Sequence, residues 1–298
     1  MTRAFVVINP AAGHGVTRKL APQILAALRS AGVAFDAAET DAPGAATALA
    51  QRAAHAGWPL VLAVGGDGTI NEVVNGLVGS DGRCLAALGI VNTGRGRDAS
   101  RNLGLATGVD AVPRLVESDR ETAVDLGLTE WSDGRRRYFL IAAGAGFDAA
   151  VAARAQQRGG RGTVPYLLGI FATLRDHRLV PVTITVDGGS PTSRLAAFVV
   201  CANGAYYGGG MNIAPGADPA DGVLDLVIVG GLGRVGLVRL LPSVYTGGHV
   251  RCPEVTMAKA RSVVIESASP LPMHVDGEVV PGTPARISVR PGALRLRR

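Results

Sequence analysis

The sequence is poor in aromatic residues, lysine and cysteine. Phe, Trp and Tyr make up only 4% of its 298 residues. A base-stacking nucleic-acid surface needs aromatic rings interleaved with basic residues. No such stripe occurs, so no nucleic-acid partner is expected. Cys84, Cys201 and Cys252 stand apart, without metal-ligand spacing. An odd, scattered set reads as reduced thiols in a cytoplasmic protein. No apolar run reaches ~18 residues without glycine or charge, so no membrane span is expected and any membrane contact would be peripheral. The apolar stretch after Met1-Thr2-Arg3 is too short for a signal-peptide core. The chain also lacks a Gly-x-x-x-x-Gly-Lys-Ser/Thr segment and a His-Arg-Asp segment, which excludes the P-loop and protein-kinase routes to phosphate chemistry.

Apolar residues account for 47% of the chain, enough for a sizeable core, and its length suits two domains. The formal charge of +6 is carried almost wholly by arginine, since Lys19 and Lys259 are the only lysines. A basic balance suits anionic partners such as a nucleotide or anionic lipid headgroups.

The most informative stretch runs from Leu60 to Leu77. Leu60 to Val64 reads as a buried strand. Gly65-Gly66-Asp67-Gly68-Thr69 then breaks the pattern, and Ile70, Val73, Val74 and Leu77 follow at i, i+3, i+4, i+7, one face of a helix. Thr69 suits an N-cap, and Glu72 three residues on suits a capping box. Strand, Gly-rich turn and helix N-terminus together make a phosphate cradle. Asp67 at its centre points to a metal ligand or a proton acceptor beside the phosphates. The alternative is an aspartate that bonds neighbouring turn amides.

Around this stretch, strands at Ala4–Ile8, 33–38 and Leu88–Val91 alternate with helical patterns at 16–31, 45–56 and 109–116. The alternation predicts parallel βαβ units, whose ligands sit at the carboxyl ends of strands. Asn9-Pro10-Ala11-Ala12-Gly13 lies at one such end and the Asp67 loop at another. Beyond residue 122 the pattern changes to strands and Gly-rich turns, with helices expected at 162–174 and 235–245. The expected organisation is an α/β nucleotide-binding domain over 1–122, a β-rich domain over 123–289, and a tail, 290–298, that packs back on the first.

Gly65-Gly66-Asp67-Gly68-Thr69 with Asn71-Glu72 and Asn75-Gly76 closely resembles the signature of diacylglycerol kinases and related bacterial lipid kinases. The shorter core is similar to that of NAD kinases. The resemblance continues in Asn9-Pro10-x-x-Gly13, in Gly144-x-Gly146-Phe147-Asp148-Ala149, in the run Asn203 to Asp225, and in Asp276-Gly277-Glu278. It implies a Rossmann-like domain plus a β-sandwich domain, with ATP and Mg²⁺ as cofactors and a diacylglycerol-like lipid as acceptor. It implies that Asn9, Gly65, Gly66, Gly68, Thr69, Asn71, Glu72, Gly94 and Arg95 frame the nucleotide. It further implies Asp276 as the catalytic base with Glu278 as its partner, Asp67 as the competitor for either role, and a structural Mg²⁺ at Asp221 with carbonyls of Asp218 and Val223. In Asn92-Thr93-Gly94-Arg95-Gly96-Arg97-Asp98 the chain departs from the family, which has Pro at 92, Thr at 95 and Asn at 97. Arg95 can meet a phosphate with a bidentate charged group. Peripheral contact with an anionic membrane is expected, the arginines of 286–298 offering one face for it; a homodimer is left open. A soluble-substrate kinase, a non-catalytic nucleotide-binding protein and, more remotely, a dinucleotide-dependent oxidoreductase are the competing readings.

Overall fold

A computed structural model describes residues 3–79, 81–117, 120–157, 172–175 and 178–298, with the side chains of 117 and 155–157 left aside. The chain falls into two compact units. The first is Met1–Leu126 with Pro291–Arg298, the second Gly127–Arg290.

In the first unit β1 (Arg3–Ile8), α1 (Ala12–Ser30), β2 (Ala34–Glu39), α2 (Ala45–His55), β3 (Leu60–Gly65), α3 (Asp67–Leu77), β4 (Ala87–Asn92), α4 (Asp98–Leu103), α5 (Ala111–Glu117) and β5 (Glu121–Glu130) follow in order. The strands pair in parallel as β2-β1-β3-β4. Every residue of β3 and β4 is buried, as central strands covered on both faces must be. Ala4, Val6, Ile8, Leu60, Leu62 and Val64 form one core with Ile24 and Leu28 of α1 and Val112 and Leu115 of α5. The buried stripe of α1 is Thr17, Ala21, Ile24 and Leu28. Leu20 and Leu25 only pack against its margin.

In the second unit come β6 (Arg136–Phe139), β7 (Ala142–Gly146), α6 (Phe147–Gln157), β8 (Val180–Val186), β9 (Thr192–Ala202), β10 (Tyr206–Tyr207), β11 (Met211–Asn212), β12 (Leu224–Gly230), α7 (Arg234–Thr246), β13 (Val255–Ala260), β14 (Ser262–Ser267), β15 (Met273–Val275), β16 (Glu278–Val280) and β17 (Ala285–Arg297). The long strand β9 branches the antiparallel sheet. Its residues 192–196 pair with β8, while its end pairs with β7 on one edge and β12 on the other. One apolar core, including Phe139, Val182, Ile184, Leu224, Leu226, Ile265, Met273 and Ile287, fills the space these layers enclose. β6 and β7 are separated at Leu140–Ile141. The helix expected over 162–174 lies mostly outside the described residues, though 172–175 is helical. The last residues of β17 return to the first unit, where Leu296 pairs in parallel with Leu88. There Asp125, on β5, accepts the Gly292 amide at 2.7 Å.

Thr69 does not cap α3. That helix begins at Asp67, with Gly66 as N-cap and no side-chain cap. Glu72 instead reaches α2, where its Oε2 accepts the Ala46 N–H at 3.1 Å and its carbonyl accepts Thr47 Oγ1–H at 2.9 Å. A carboxylate at a helix N-terminus satisfies orphan amides and the dipole together, and α2 has no capping side chain of its own. Gly76 lets the two helices approach this closely. A Cβ there would lie 2.3 Å from the Thr47 carbonyl and 2.9 Å from Ala50 Cβ. Gly76→Ala is therefore expected to cost about 1–3 kcal/mol through overpacking, read as a fall in Tm of several degrees by calorimetry. An unchanged Tm would mean that α2 and α3 are not locked as described.

Candidate active site

The loops after β1, β3 and β4 form one cluster at the carboxyl edge of the parallel sheet. Asn9 Nδ2 donates to Thr69 Oγ1 at 2.9 Å, and Asn9 Oδ1 accepts the Ala11 amide at 3.1 Å. Thr93 N–H donates to the Gly65 carbonyl at 2.8 Å, and Thr93 Oγ1 shares a buried 2.6 Å hydrogen bond with Thr17 Oγ1. The Gly66 and Gly94 backbones nearly touch: a Cβ on Gly94 would lie 2.7 Å from Gly66 Cα. Any larger residue at 94 would pry the two loops apart.

Asp67 holds this cluster together. Its Oδ1 accepts Asn92 Nδ2–H at 3.0 Å and the Ala99 amide at 3.1 Å, and its Oδ2 accepts the Asp98 amide at 3.3 Å. Asn92, where the family has proline, also accepts the Gly94 amide at 2.9 Å through Oδ1. One buried amide thus ties Asp67 to the turn. Arg97 sits at φ 55° and folds onto its own loop, donating from Nε to the Gly94 carbonyl at 3.1 Å. Asp98, 5% exposed, is ion-paired with Arg101. Arg95 is exposed, leaving its guanidinium at the surface of the cluster. Thr69 and Asn71 are 4% and 1% exposed, and Asn71 Oδ1 and carbonyl both accept from Asn75 Nδ2. Asn71 and Glu72 thus shape the helix behind the loop, while Asn9, Asp67 and Gly94 form the cluster itself and Arg95 rises from its surface.

The second unit carries the other predicted residues. Asp276 occupies the first turn position between β15 and β16 at φ 47°. Its Oδ2 accepts the Leu140 amide at 2.9 Å, and its Oδ1 accepts those of Ile141 and Ala142 at 2.9 and 3.0 Å. Three consecutive N–H groups turned toward one carboxylate cannot also serve a ladder, which is why β6 and β7 are separate. Glu278 opens β16 and is half-buried.

Beneath this turn lies a pair absent from the sequence-level list. His274 and Asp148, 2% and 4% exposed, meet at 2.9 Å between Nε2 and Oδ2. His274 Nδ1 accepts the Gly277 amide at 3.4 Å, and the Tyr207 ring stacks on the imidazole at 5.9 Å. Donation from Nε2–H to Asp148 leaves Nδ1 as the acceptor the turn requires. Sequence spacing held no signal for it, since Asp148, in the first turn of α6, is 126 residues away.

The turn expected to hold a structural Mg²⁺ has a different occupant. Asp221 Oδ1 accepts the Val223 amide at 3.2 Å, and the Asp218 carbonyl accepts the Asp221 amide at 3.3 Å. Lys259 Nζ lies 2.6 Å from Asp221 Oδ2 and 3.4 Å from Asp225 Oδ2. Hydrogen bonding to Asp221 raises the Lys259 pKa, and burial raises that of Asp225 against the pull of Lys259. As arranged, Asp221 and Asp225 hold the Lys259 ammonium. Among the described residues no cluster of three His, Cys, Asp or Glu side chains could hold a metal. Nor is any described helix long and apolar enough to cross a membrane.

Comparisons with known proteins bear on both units. The diacylglycerol kinase catalytic domain model matches residues 3–129, and the YegS C-terminal NAD kinase beta sandwich-like domain model matches 142–298. A Mycobacterium tuberculosis protein named diacylglycerol kinase is 33% identical over 296 residues, covering 97% of this chain and 93% of that one. A Bacillus anthracis crystal structure, described as a candidate diacylglycerol kinase, superposes with a TM-score of 0.81 at 26% identity, covering 99% of this chain and 96% of that one. An NAD kinase from Archaeoglobus fulgidus, solved with ATP, superposes with a TM-score of 0.53 at 14% identity, covering 100% of this chain and 94% of that one. That last likeness shows the fold alone.

Two outcomes test this geometry. Without nucleotide, Tm in EDTA should equal Tm in millimolar Mg²⁺. Lys259→Met should lower Tm by no more than about 3 °C, because a half-exposed pair contributes only ~0.2–1 kcal/mol. A saturable Mg²⁺ stabilisation of the wild type, lost in Asp221→Asn, would restore the metal to this turn.

Proposed function

The chain belongs to the diacylglycerol kinase family, and on that premise we propose that it transfers the γ-phosphoryl group of ATP to a lipid hydroxyl, with a diacylglycerol-type acceptor. The observation that carries the reading is the loop cluster at the ends of β1, β3 and β4. It combines closely approaching glycine backbones, the N-terminus of α3 and the exposed Arg95 guanidinium. Backbone N–H groups and one bidentate cation are what a triphosphate needs. Phosphoryl transfer asks the protein chiefly for positioning and charge neutralisation.

Asp67 accepts three hydrogen bonds on two oxygens. A carboxylate offers about four acceptor positions, so it keeps capacity for one further partner and fits an ion arriving with the nucleotide. Mg²⁺ bound with ATP supplies neutralisation of the developing charge. Within this chain, Asn9 and Asn92 fix Asp67 and Thr69, and Arg95 takes a phosphate oxygen. The Asp276 carboxylate, held in place by the Leu140, Ile141 and Ala142 amides, is the proposed acceptor of the hydroxyl proton. Glu278, which opens β16 just past the same turn, is its proposed partner.

The test is transfer of label from γ-labelled ATP with Mg²⁺ to diacylglycerol, monoacylglycerol, ceramide, sphingosine and NAD, the lipids in mixed micelles. Label in a lipid is expected. Label only in NAD, or in no acceptor despite ATP binding, would overturn the reading. Asp276→Asn is expected to lower kcat by about 10²–10⁴-fold, the usual contribution of a general base, with little change in ATP affinity. Asp67→Asn should weaken ATP binding as well as slow transfer, because it loosens the 92–99 loop. Turnover like the wild type in either variant removes that residue from the mechanism.

A further inference from the structure

The C-terminal arginines do not form an open basic face. Arg290 lies 3.7 Å from Glu130, while Arg295 and Arg297 lie 3.4 and 3.3 Å from Glu121. Much of that charge is answered within the protein.

Helix α7 is built differently. Leu237, Leu240 and Val244 are buried and anchor one side. The opposite side presents Val235, 64% exposed, Val238, 43%, and Tyr245, 38%, with exposed Pro242 between them. These fall at i, i+3, i+7 and i+10, one continuous stripe on a helix. Exposed Arg234 and Arg239 flank it, one on each side. No acidic residue occurs between Asp225 and Glu254, and Arg251 adds a third positive charge within that span. Glu254, beside Gly231 ahead of the helix, accepts a hydrogen bond from the Cys252 thiol. Leu195, 53% exposed, lies on β9 next to the Gly230 backbone that leads into α7.

We propose that α7 is the surface by which this protein docks on an anionic lipid bilayer. Val235, Val238, Pro242 and Tyr245 would enter the headgroup–acyl boundary, with Arg234 and Arg239 on lipid phosphates. The helix lies in the interface plane, its buried side fastened to the protein and its apolar stripe in lipid. An apolar stripe bounded by cations and free of acids matches a negatively charged bilayer better than a protein surface of mixed sign. This rests on the lipid-kinase reading and names the surface by which such an enzyme reaches its acceptor.

The experiment is flotation with vesicles of phosphatidylcholine alone and of phosphatidylcholine with phosphatidylglycerol. The wild type should bind the anionic vesicles at least tenfold better, less so as salt rises. Val235→Glu with Val238→Glu should abolish binding, and Arg234→Gln and Arg239→Gln should each weaken only the anionic increment, by about fivefold. Val238→Trp should strengthen binding, a gain that misfolding cannot mimic. Vesicle binding unchanged in the double glutamate variant overturns the proposal. So does a dimer that becomes a monomer in that variant while vesicle binding persists, since the stripe would then join two copies. The same variant should still phosphorylate a short-chain diacylglycerol in detergent micelles. Failure of the wild type in that micelle assay would sink the kinase reading, while the vesicle result judges the docking face separately.

Discussion

A main-chain N–H that has no carbonyl to meet must find another acceptor, and this protein repeatedly meets that demand with a carboxylate. Asp67 takes the amides of Asp98 and Ala99, Glu72 that of Ala46, Asp276 those of Leu140 to Ala142, and Asp125 that of Gly292. Asp187 does the same for Arg261 and Ser262. All but one sit where a strand or helix starts or breaks; the exception, Asp125, holds the positive-φ Gly292 within β17. An unsatisfied amide at such a place costs on the order of 1–3 kcal/mol, and a charged acceptor satisfies two or three at once. Both units are fastened in this way.

Two of these carboxylates, Asp67 and Asp276, are also those with a proposed chemical role, and the two roles are compatible. An oxygen fixed by a backbone amide cannot drift, so it faces an incoming group in a constant direction. That is preorganisation, the property that phosphoryl transfer rewards most. It also means that truncating Asp67 or Asp276 to alanine removes a structural clasp along with a chemical group. The amide isosteres keep one acceptor oxygen and separate the effects better. The Asp148–His274 pair extends the logic one layer deeper, since the imidazole accepts the Gly277 amide of the very turn that carries Asp276.

Periodicity made most of the fold legible. Continuous apolar runs at Leu60–Val64 and Leu88–Val91 are covered strands, and Ile70, Val73, Val74 and Leu77 are the buried face of α3. Local pattern misread the functions of polar residues whose partners are distant in sequence. Glu72 looked like half of a capping box because Thr69 stood three residues before it, yet its partner amide is 26 residues away. Lys259 gave no sign that it would meet Asp221, 38 residues off. His274 passed as an ordinary strand residue, because burial and the identity of its partner on α6 do not show in spacing.

Departures from a family pattern carry meaning only together with what surrounds them. Arg97 replaces a compact amide with a long cation, which by itself argues against a working loop. In the structure it turns back to the Gly94 carbonyl, and Asn92, also a departure, bonds both Asp67 and the Gly94 amide. The two changes reinforce one loop geometry from opposite sides. Arg95 remains exposed as the group that can reach a phosphate. Glycine backbones and one cation recognise phosphate whatever the acceptor, so the phosphate side cannot by itself select a lipid over a soluble acceptor. Selection must depend on features that a soluble-substrate kinase has no use for. An apolar helix face edged with arginine and held outward by a buried seam is such a feature, because leaving Val235 and Val238 in water brings no gain unless something apolar meets them.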